Sequence, residues 1–201
     1  LLNPAFSVHK YAWLMEFLGN IKHYEANTHE TVRLALLARQ RLFEIADKES
    51  IDFNLEKRGI LHFYHNKQDY DVAIRVNDLL NKGGLERSGV SNEEIKQIEP
   101  TLTGDYYAGF YCEGDATGDI HKYTTGLAEV TKKLGVKYRF GMDVTDIEHL
   151  TSGVEVKLQP SSENVELLPN EVEMLAADAV VVCAGVGSYQ LAELVQERVN
   201  V

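Results

Sequence analysis

Amphipathic helical periodicity recurs along the first two-thirds of the chain. Apolar residues return every three or four positions in three segments, 28–50, 67–81 and 120–134. This spacing places them on one face of an α-helix. Thr28 and Asn66 stand where they can cap the first two helices, and Gly83 and Gly135 follow the last two, as is common at helix ends. The pattern predicts three helices that each pack through one apolar face.

Short β-prone segments lie between and after these helices. Residues 60–64 and 107–112 combine aromatic and aliphatic side chains, a composition that favours strands. Between them, Ser91 and Glu94 have the spacing of a capping box for a brief helix that ends at Pro100. The first half of the chain therefore predicts a mixture of helices and short strands.

The last third of the chain predicts a second group of strands. Residues 136–140 and 179–184 are predicted strands, and the second is apolar on both faces, as in a parallel strand covered by helices. Three alternating segments lie between them, at 144–150, 153–158 and 165–168. They predict a β-meander over 143–168. The predicted fold class is mixed α/β (α+β), with a meander inserted in an α/β layer.

A small-residue turn follows the apolar strand at 179–184. Gly185 and Gly187 occupy the first two glycine positions of G-x-G-x-x-G, but Gln190 stands at the third. Turns at the carboxyl ends of such strands bind nucleotides in open α/β sheets, and many others bind nothing. On these residues, a nucleotide site and a buried strand with a tight turn are equal alternatives.

Composition and charge exclude several classes of function. The 201 residues carry 31 acidic and 20 basic side chains, a formal net charge of −11, which disfavours a nucleic-acid partner. The longest apolar run, 179–186, is far shorter than the roughly 20 residues of a membrane-spanning helix. Residues 11–18 are aromatic and apolar. They favour a core helix, with peripheral membrane contact as the alternative.

Reactive or metal-ligating clusters are not evident in the sequence. Cys112 and Cys183 are far apart and predict buried thiols in a reducing compartment. His62 and His65 would point to opposite faces of a strand, so no metal site is predicted there. The acidic residues of 113–119 lack the ligand pattern of a calcium loop and predict a solvated loop. No hydrolase motif is present.

The order of the motifs resembles that of a known enzyme family. Along the chain follow GILHFY, NKQDYDVA, IEPTL, YAGFY, DATGD, LGVKYRF, DVTDI and ADAVVVCAG. This succession, over about residues 25–195, resembles the FAD-dependent D-amino-acid oxidoreductase family, and within it the D-amino-acid dehydrogenases. The resemblance implies a flavoprotein of amino-acid catabolism, with FAD in a Rossmann-like domain and hydride transfer from the substrate Cα to the flavin.

The resemblance also implies roles for particular residues. Val144 matches the family valine whose backbone contacts the adenine end of FAD, and Ala184 with Gly185 matches the small pair that passes close to the cofactor. Tyr64 and Tyr111 are the candidates for contact with an amino-acid substrate. No catalytic side chain and no metal ligand is expected in this chain.

By the same resemblance, residues 1–115 belong to a substrate-binding domain and residues 116–201 to the FAD-binding domain. The phosphate-binding turn would precede residue 1, and the arginine that grips the substrate carboxylate would follow residue 201. The chain is therefore expected to be an inactive central portion of the enzyme. A respiratory electron acceptor is implied, at a cytoplasmic location or on the inner face of the membrane. The alternatives are a glycine or sarcosine oxidase-like enzyme and a non-catalytic acidic α/β binding module.

Overall fold

A computed structural model describes residues 8–161 and 172–197 of the chain. The chain divides into two compact units, Leu1–Val136 and Lys137–Val201. Both helices and sheets are present, as the sequence predicts. The assignment of residues 1–115 to a substrate-binding domain and of 116–201 to an FAD-binding domain stays a prediction.

The first unit begins with two consecutive helices. Helix α1 (Val8–Asn20) continues through a short 3-10 helix (Ile21–His23) into α2 (Tyr24–Lys48). Because α2 follows another helical turn, its start needs no side-chain cap. The predicted cap at Thr28 is therefore wrong, and the Thr28 hydroxyl instead donates a hydrogen bond to the Tyr24 carbonyl oxygen at 2.8 Å within α2.

The rest of the first unit alternates strands and helices. The elements are β1 (Ile60–Tyr64), α3 (Lys67–Lys82), β2 (Ser88–Val90), α4 (Asn92–Ile98), β3 (Ala108–Cys112) and α5 (Ile120–Lys133). Asn66 caps α3 by accepting a hydrogen bond from the Asp69 amide, and Ser91 and Glu94 form both bonds of the predicted capping box of α4. Polar side chains thus fix where these helices begin.

A three-stranded antiparallel sheet forms the centre of this unit, with β3 between β1 and β2. Helix α3 covers one face, where the Tyr70 ring stacks on Phe110 with centroids 5.1 Å apart. Helix α4 covers the other face through Ile95, which is fully buried. The sheet is therefore packed on both faces. A separate core joins α2 to α5 through Ala46, Phe53 and Tyr123.

The second unit contains an antiparallel meander of β4 (Met142–His149), β5 (Val154–Pro160) and β6 (Glu173–Ala177). A 3-10 turn (Gly185–Gly187) leads into α6 (Ser188–Leu194), which packs against β4. The first two strands confirm the predicted meander. The third predicted segment, 165–168, lies outside the described residues, and the third strand observed is β6.

Both strands predicted on either side of the meander are wrong. Residues 136–140 and 179–184 form no strand, and Phe140 and Val181 are 80% and 84% exposed. A strand needs a hydrogen-bonded neighbour, and among residues 8–161 and 172–197 neither segment has one. The prediction that Cys183 is buried is wrong for the same reason, since this thiol is exposed.

The prediction that residues 11–18 form a core helix is also wrong. They are helical, but Tyr11, Met15, Phe17 and Leu18 of α1 are between 46% and 69% exposed. Among the helices that the structure describes, none combines the length and apolar character needed to cross a membrane.

Candidate functional site

The three residues predicted to contact a cofactor all lie in the second unit. Val144 is a half-buried residue of β4, and Ala184 and Gly185 form the exposed turn before α6. The turn leads directly into α6, and α6 packs against β4, the strand that carries Val144. The fold thus holds these distant sequence positions in one small unit.

Gly185 has the local geometry of a close-approach site. Its φ is +56°, and no atom lies within 4 Å of the position that a Cβ would occupy. Glycine adopts this left-handed conformation without steric penalty. The open space beside it leaves the backbone accessible to a ligand. Gly185 therefore fits the role of a residue that a cofactor passes closely.

Val144 lies at an irregularity in the β4–β5 ladder. Val144 pairs with Leu158 and Asp146 with Lys157, so Thr145 is an extra residue in β4. Such a bulge interrupts the regular pairing and turns backbone groups away from the neighbouring strand. Val144 itself stays paired with Leu158, and β4 is an edge strand of its sheet, so backbone contact with a cofactor at Val144 would use the edge of β4 that faces away from β5. The edge position of Val144 and the open turn at Gly185 are each compatible with backbone contact to a cofactor such as FAD.

The two candidate substrate residues do not lie together. Residues paired across an antiparallel sheet share a face, and Tyr64 pairs with Ala108 whereas Tyr111 pairs with Leu61. Because 108 and 111 have opposite parity, Tyr64 and Tyr111 point to opposite faces of the sheet. One small substrate cannot contact both side chains.

The contacts of the two tyrosines also differ. The Tyr111 hydroxyl donates a hydrogen bond to the Arg58 carbonyl oxygen at 2.6 Å, and its ring covers Gly59, where a Cβ would come within 2.5 Å of it. Tyr64 is half-buried and makes edge contacts with the rings of Tyr70 and Phe110. The Tyr111 hydroxyl is thus already hydrogen-bonded to a backbone carbonyl, whereas the Tyr64 ring belongs to an aromatic cluster.

A polar cluster that sequence reasoning missed lies beside the Tyr64 face of the sheet. Arg39 of α2 forms an ion pair with Asp115, and each side chain is 29% exposed. The expectation of a solvated acidic loop is therefore wrong for Asp115, while Asp119 caps α5. Arg39 and Asp115 are 76 residues apart. No local pattern in the sequence links them.

Two titratable groups of this face have shifted pKa values. Burial lowers the pKa of His62, the nearby Arg87 guanidinium lowers it further, and Asp115 opposes both effects. Burial raises the pKa of the Cys112 thiol, with hydrogen bonding and charge from Asp115 acting in the same direction. The prediction of a buried thiol is confirmed for Cys112. A protonated buried thiol is a poor nucleophile.

Arg87 is held in place by two different contacts. The side-chain amide of Asn81 bonds both the amide and the carbonyl of Arg87, at 3.1 and 3.0 Å, and the guanidinium lies 5.0 Å from the Phe110 ring centroid. The arginine borders a polar cleft of about 590 Å³ that also includes Glu86 and Glu113. In the part of the chain that the structure describes, no group of His, Cys, Asp and Glu side chains forms a metal site.

The sequence of this chain is similar to a family model and to individual proteins, and both are flavin-dependent or amino-acid oxidoreductases by description. Residues 7–201 match the family model described as FAD dependent oxidoreductase. D-amino acid dehydrogenase 3 of Mesorhizobium japonicum is 44% identical over 201 residues, which is all of this chain and 47% of that protein. D-amino acid dehydrogenase of Dechloromonas aromatica is 32% identical over 87% of this chain and 41% of that protein. The chain spans less than half the length of these relatives.

Solved structures share the fold at low sequence identity. Glycine oxidase from Geobacillus kaustophilus superimposes with a TM-score of 0.62 at 20% identity, over 82% of this chain and 41% of that one. L-amino acid deaminase from Proteus vulgaris gives 0.63 at 19% identity, over 81% and 36%. These likenesses confirm the predicted fold class.

Proposed function

The chain belongs to the FAD-dependent oxidoreductase family, and from this premise we propose that the whole protein is a D-amino-acid dehydrogenase. The observation that carries the proposal is the 44% identity to D-amino acid dehydrogenase 3, which extends over the entire chain. The proposed reaction oxidises a D-amino acid at Cα to an imine, which water then hydrolyses to the oxo acid and ammonia.

The protein contributes positioning to this reaction. When bound, FAD supplies the redox step by accepting the hydride from Cα. Val144, Ala184 and Gly185 would hold one edge of the cofactor through their backbones. We assign no catalytic side chain to this chain, because orientation of the substrate amine accounts for the role of the protein in hydride transfer.

A pair of glycine variants tests the cofactor contact in the longer protein that includes this chain. Gly185 and Gly135 both have positive φ, and neither has an atom within 4 Å of the position that a Cβ would occupy. Valine strains the backbone at either site. We expect Gly185→Val to lower the flavin-to-protein absorbance ratio and the matched control Gly135→Val to leave it unchanged. Equal flavin-to-protein absorbance ratios in the two variants would show that Gly185 does not contact the cofactor.

Of the two tyrosines, we propose Tyr64 as the one that contacts substrate. The Tyr111 hydroxyl is already bonded to the Arg58 carbonyl, and the two side chains lie on opposite faces of the sheet. Replacing Tyr64 by alanine is expected to raise KM for a D-amino acid in the longer protein. Tyr111→Phe serves as the control, with lower thermal stability and an unchanged KM. An unchanged KM for Tyr64→Ala would contradict the assignment.

One experiment distinguishes the proposed function from two alternative functions. The longer protein is purified, its flavin absorbance is recorded, and dye reduction is measured with D-alanine and with glycine. A yellow protein active on D-alanine supports the proposal. Activity with glycine alone favours an enzyme like the glycine oxidase that shares the fold. A colourless protein favours a non-catalytic binding module.

The electron acceptor and the location follow from the same proposal. A dehydrogenase passes electrons to an acceptor other than oxygen, so we propose a respiratory carrier and a site of action on the cytoplasmic side of the membrane. Measuring hydrogen peroxide under air separates this from an oxidase. Dye reduction with little peroxide is the expected result.

A further inference from the structure

We propose that the polar cleft beside Arg87 binds a free amino acid as a zwitterion, at a site separate from the proposed substrate contact at Tyr64. The cleft has a volume of about 590 Å³, within the range of roughly 300–1,000 Å³ that small-molecule sites occupy. It lies where the end of α3, the turn that follows it and the start of β2 meet the end of β3. Tyr64 is not among the residues that line it.

Arg87 brings a positive charge to this cleft without an anionic partner. Its side chain forms no ion pair with any residue that the structure describes, and its Nε is buried with no hydrogen-bond partner among those residues. Burying part of an unpaired charge costs free energy. Arg87 as a whole is only half-buried, so a ligand can approach it. A carboxylate suits the planar guanidinium because two parallel hydrogen bonds can form.

The position of Arg87 is fixed before any ligand arrives. The Asn81 side chain, which also lines the cleft, bonds the Arg87 amide and carbonyl. The guanidinium lies 5.0 Å from the Phe110 ring centroid. Gly84, in the turn between α3 and Arg87, has a φ of +101°, a conformation that favours glycine. A binding group that is already held in place loses less conformational entropy when the ligand binds.

Two carboxylates give the cleft a second kind of binding group. Glu86 precedes Arg87, Glu113 follows β3, and both line the cleft. In the described part of the chain, neither forms an ion pair. An anion alone would be repelled by the two glutamates, and a metal cation alone would leave Arg87 unpaired. A ligand that carries both a carboxylate and an ammonium group suits all three side chains, and a free amino acid has this chemistry.

The charge balance of the cleft favours a basic amino acid. One arginine and two glutamates leave its lining net negative, and lysine at neutral pH carries one carboxylate and two ammonium groups. We therefore expect L-lysine to bind more tightly than L-alanine, and L-aspartate to bind most weakly. The L enantiomers serve as probes because the proposed reaction oxidises D-amino acids, so binding is measured without turnover.

Isothermal titration calorimetry of the longer protein tests which groups of the ligand are recognised. The probes are L-lysine, acetate, and cadaverine, the diamine that lysine becomes without its carboxylate. Acetate has no ammonium group for the glutamates, and cadaverine has no carboxylate for Arg87, so each should bind about tenfold or more weakly than L-lysine. Acetate or cadaverine bound as tightly as L-lysine would overturn the proposal. So would the absence of L-lysine binding, as when another part of the longer protein fills the cleft.

Matched arginine variants locate the site. Arg87→Gln removes the positive charge and is expected to weaken L-lysine binding about tenfold or more. Arg75→Gln removes an exposed arginine of α3 that does not line the cleft, so it should bind L-lysine as the parent does. Thermal unfolding verifies that both variants fold. Equal L-lysine binding by the two variants would contradict the proposal.

Carboxylate and tyrosine variants complete the test. Glu113→Gln should reduce the preference for L-lysine over L-alanine, and an unchanged preference would contradict the role of this carboxylate. Tyr64→Ala should keep L-lysine binding. Loss of binding in a folded Tyr64→Ala variant would place the ligand at the substrate contact and overturn the proposal. Calorimetry needs no turnover, so a longer protein that is inactive on D-amino acids would contradict the proposed function and leave this test intact.

Discussion

His62 and Arg87 provide a prediction about charge at the scale of single residues. The pKa of His62 is lowered by burial and by Arg87, and Asp115 opposes both. Arg87→Gln removes a positive charge that disfavours the imidazolium, so the pKa of His62 should rise. Asp115→Asn should lower it. NMR titration of the imidazole, assigned with His62→Gln, measures both shifts, and identical titrations would contradict this account.

The same shift sets a direction for stability against pH. Because the folded state holds His62 with a lowered pKa, the unfolded chain binds more protons as pH falls below the ordinary histidine pKa of about 6.5. His62 therefore makes the folded state less stable as pH falls through that range. Arg87→Gln should reduce this pH dependence of the unfolding free energy.

Gly109 provides a prediction about packing. A Cβ at this position would lie 2.6 Å from the backbone oxygen of His62 on the neighbouring strand, and a backbone atom cannot move aside as a side chain can. Gly109→Ala is expected to destabilise the chain by about 1–3 kcal/mol. Gly19 in α1 has no atom within 4 Å of its Cβ position, so Gly19→Ala should be neutral or stabilising. Urea denaturation compares the two, and equal effects would contradict the steric explanation.

Individual residues differ in how far the sequence predicts them. Asn66 and Ser91 were predictable as caps because capping depends on residues only three positions away. The Arg39–Asp115 ion pair was not, because it depends on how α2 packs beside a distant loop. Tyr64 and Tyr111 could be placed on strands, yet their opposite faces became evident only from the pairing of β1 with β3.

At the scale of elements, the capping box of α4 is open to a direct measurement. The Ser91 hydroxyl accepts a hydrogen bond from the Glu94 amide, and the Glu94 carboxylate accepts one from the Ser91 amide. Ser91→Ala removes the first bond and is expected to destabilise the chain by about 1 kcal/mol. Ser91→Thr keeps a hydroxyl and should retain most of the stability. Thermal unfolding of the two variants distinguishes loss of the cap from a general effect of substitution.

Helices and strands differed in how well their periodicity predicted them. Helices α2, α3 and α5 were found close to the predicted bounds because helical hydrogen bonds are local. The apolar pattern of 179–184 indicated a buried strand, but a strand forms only when another strand pairs with it. Periodicity identifies residues suited to burial and does not show what buries them. The same holds for α1, whose apolar residues are exposed.

At the scale of the whole molecule, the chain alone should not retain FAD. It spans 47% of the relative that it resembles at 44% identity, and its three proposed cofactor contacts form only one edge of a site. We expect the purified 201-residue chain to lack stoichiometric flavin absorbance and to reduce no dye with D-alanine. Stoichiometric flavin bands would contradict this expectation. Added FAD followed by gel filtration provides the control for loss during purification.

The proposed cofactor contacts and the proposed substrate contact lie in different units of the chain. The proposed cofactor contacts lie in Lys137–Val201, and the proposed substrate contact lies in Leu1–Val136. The sequence predicted the kinds of element in each unit and the family to which they belong. It placed the division at 115/116, a boundary that depends on function and stays a prediction.

Residues 179–184 have no strand partner in the part of the chain that the structure describes, and this has a practical consequence for handling the chain. Val180, Val181 and Val182 follow one another with their side chains 40% or more exposed, and such a β-branched run with unpaired backbone is a template for intermolecular β-pairing. The isolated chain should therefore aggregate when it is concentrated, through β-pairing between the 180–182 segments of different molecules. Val181→Lys interposes a charge and should raise solubility with little change in unfolding free energy, as light scattering and urea denaturation can measure.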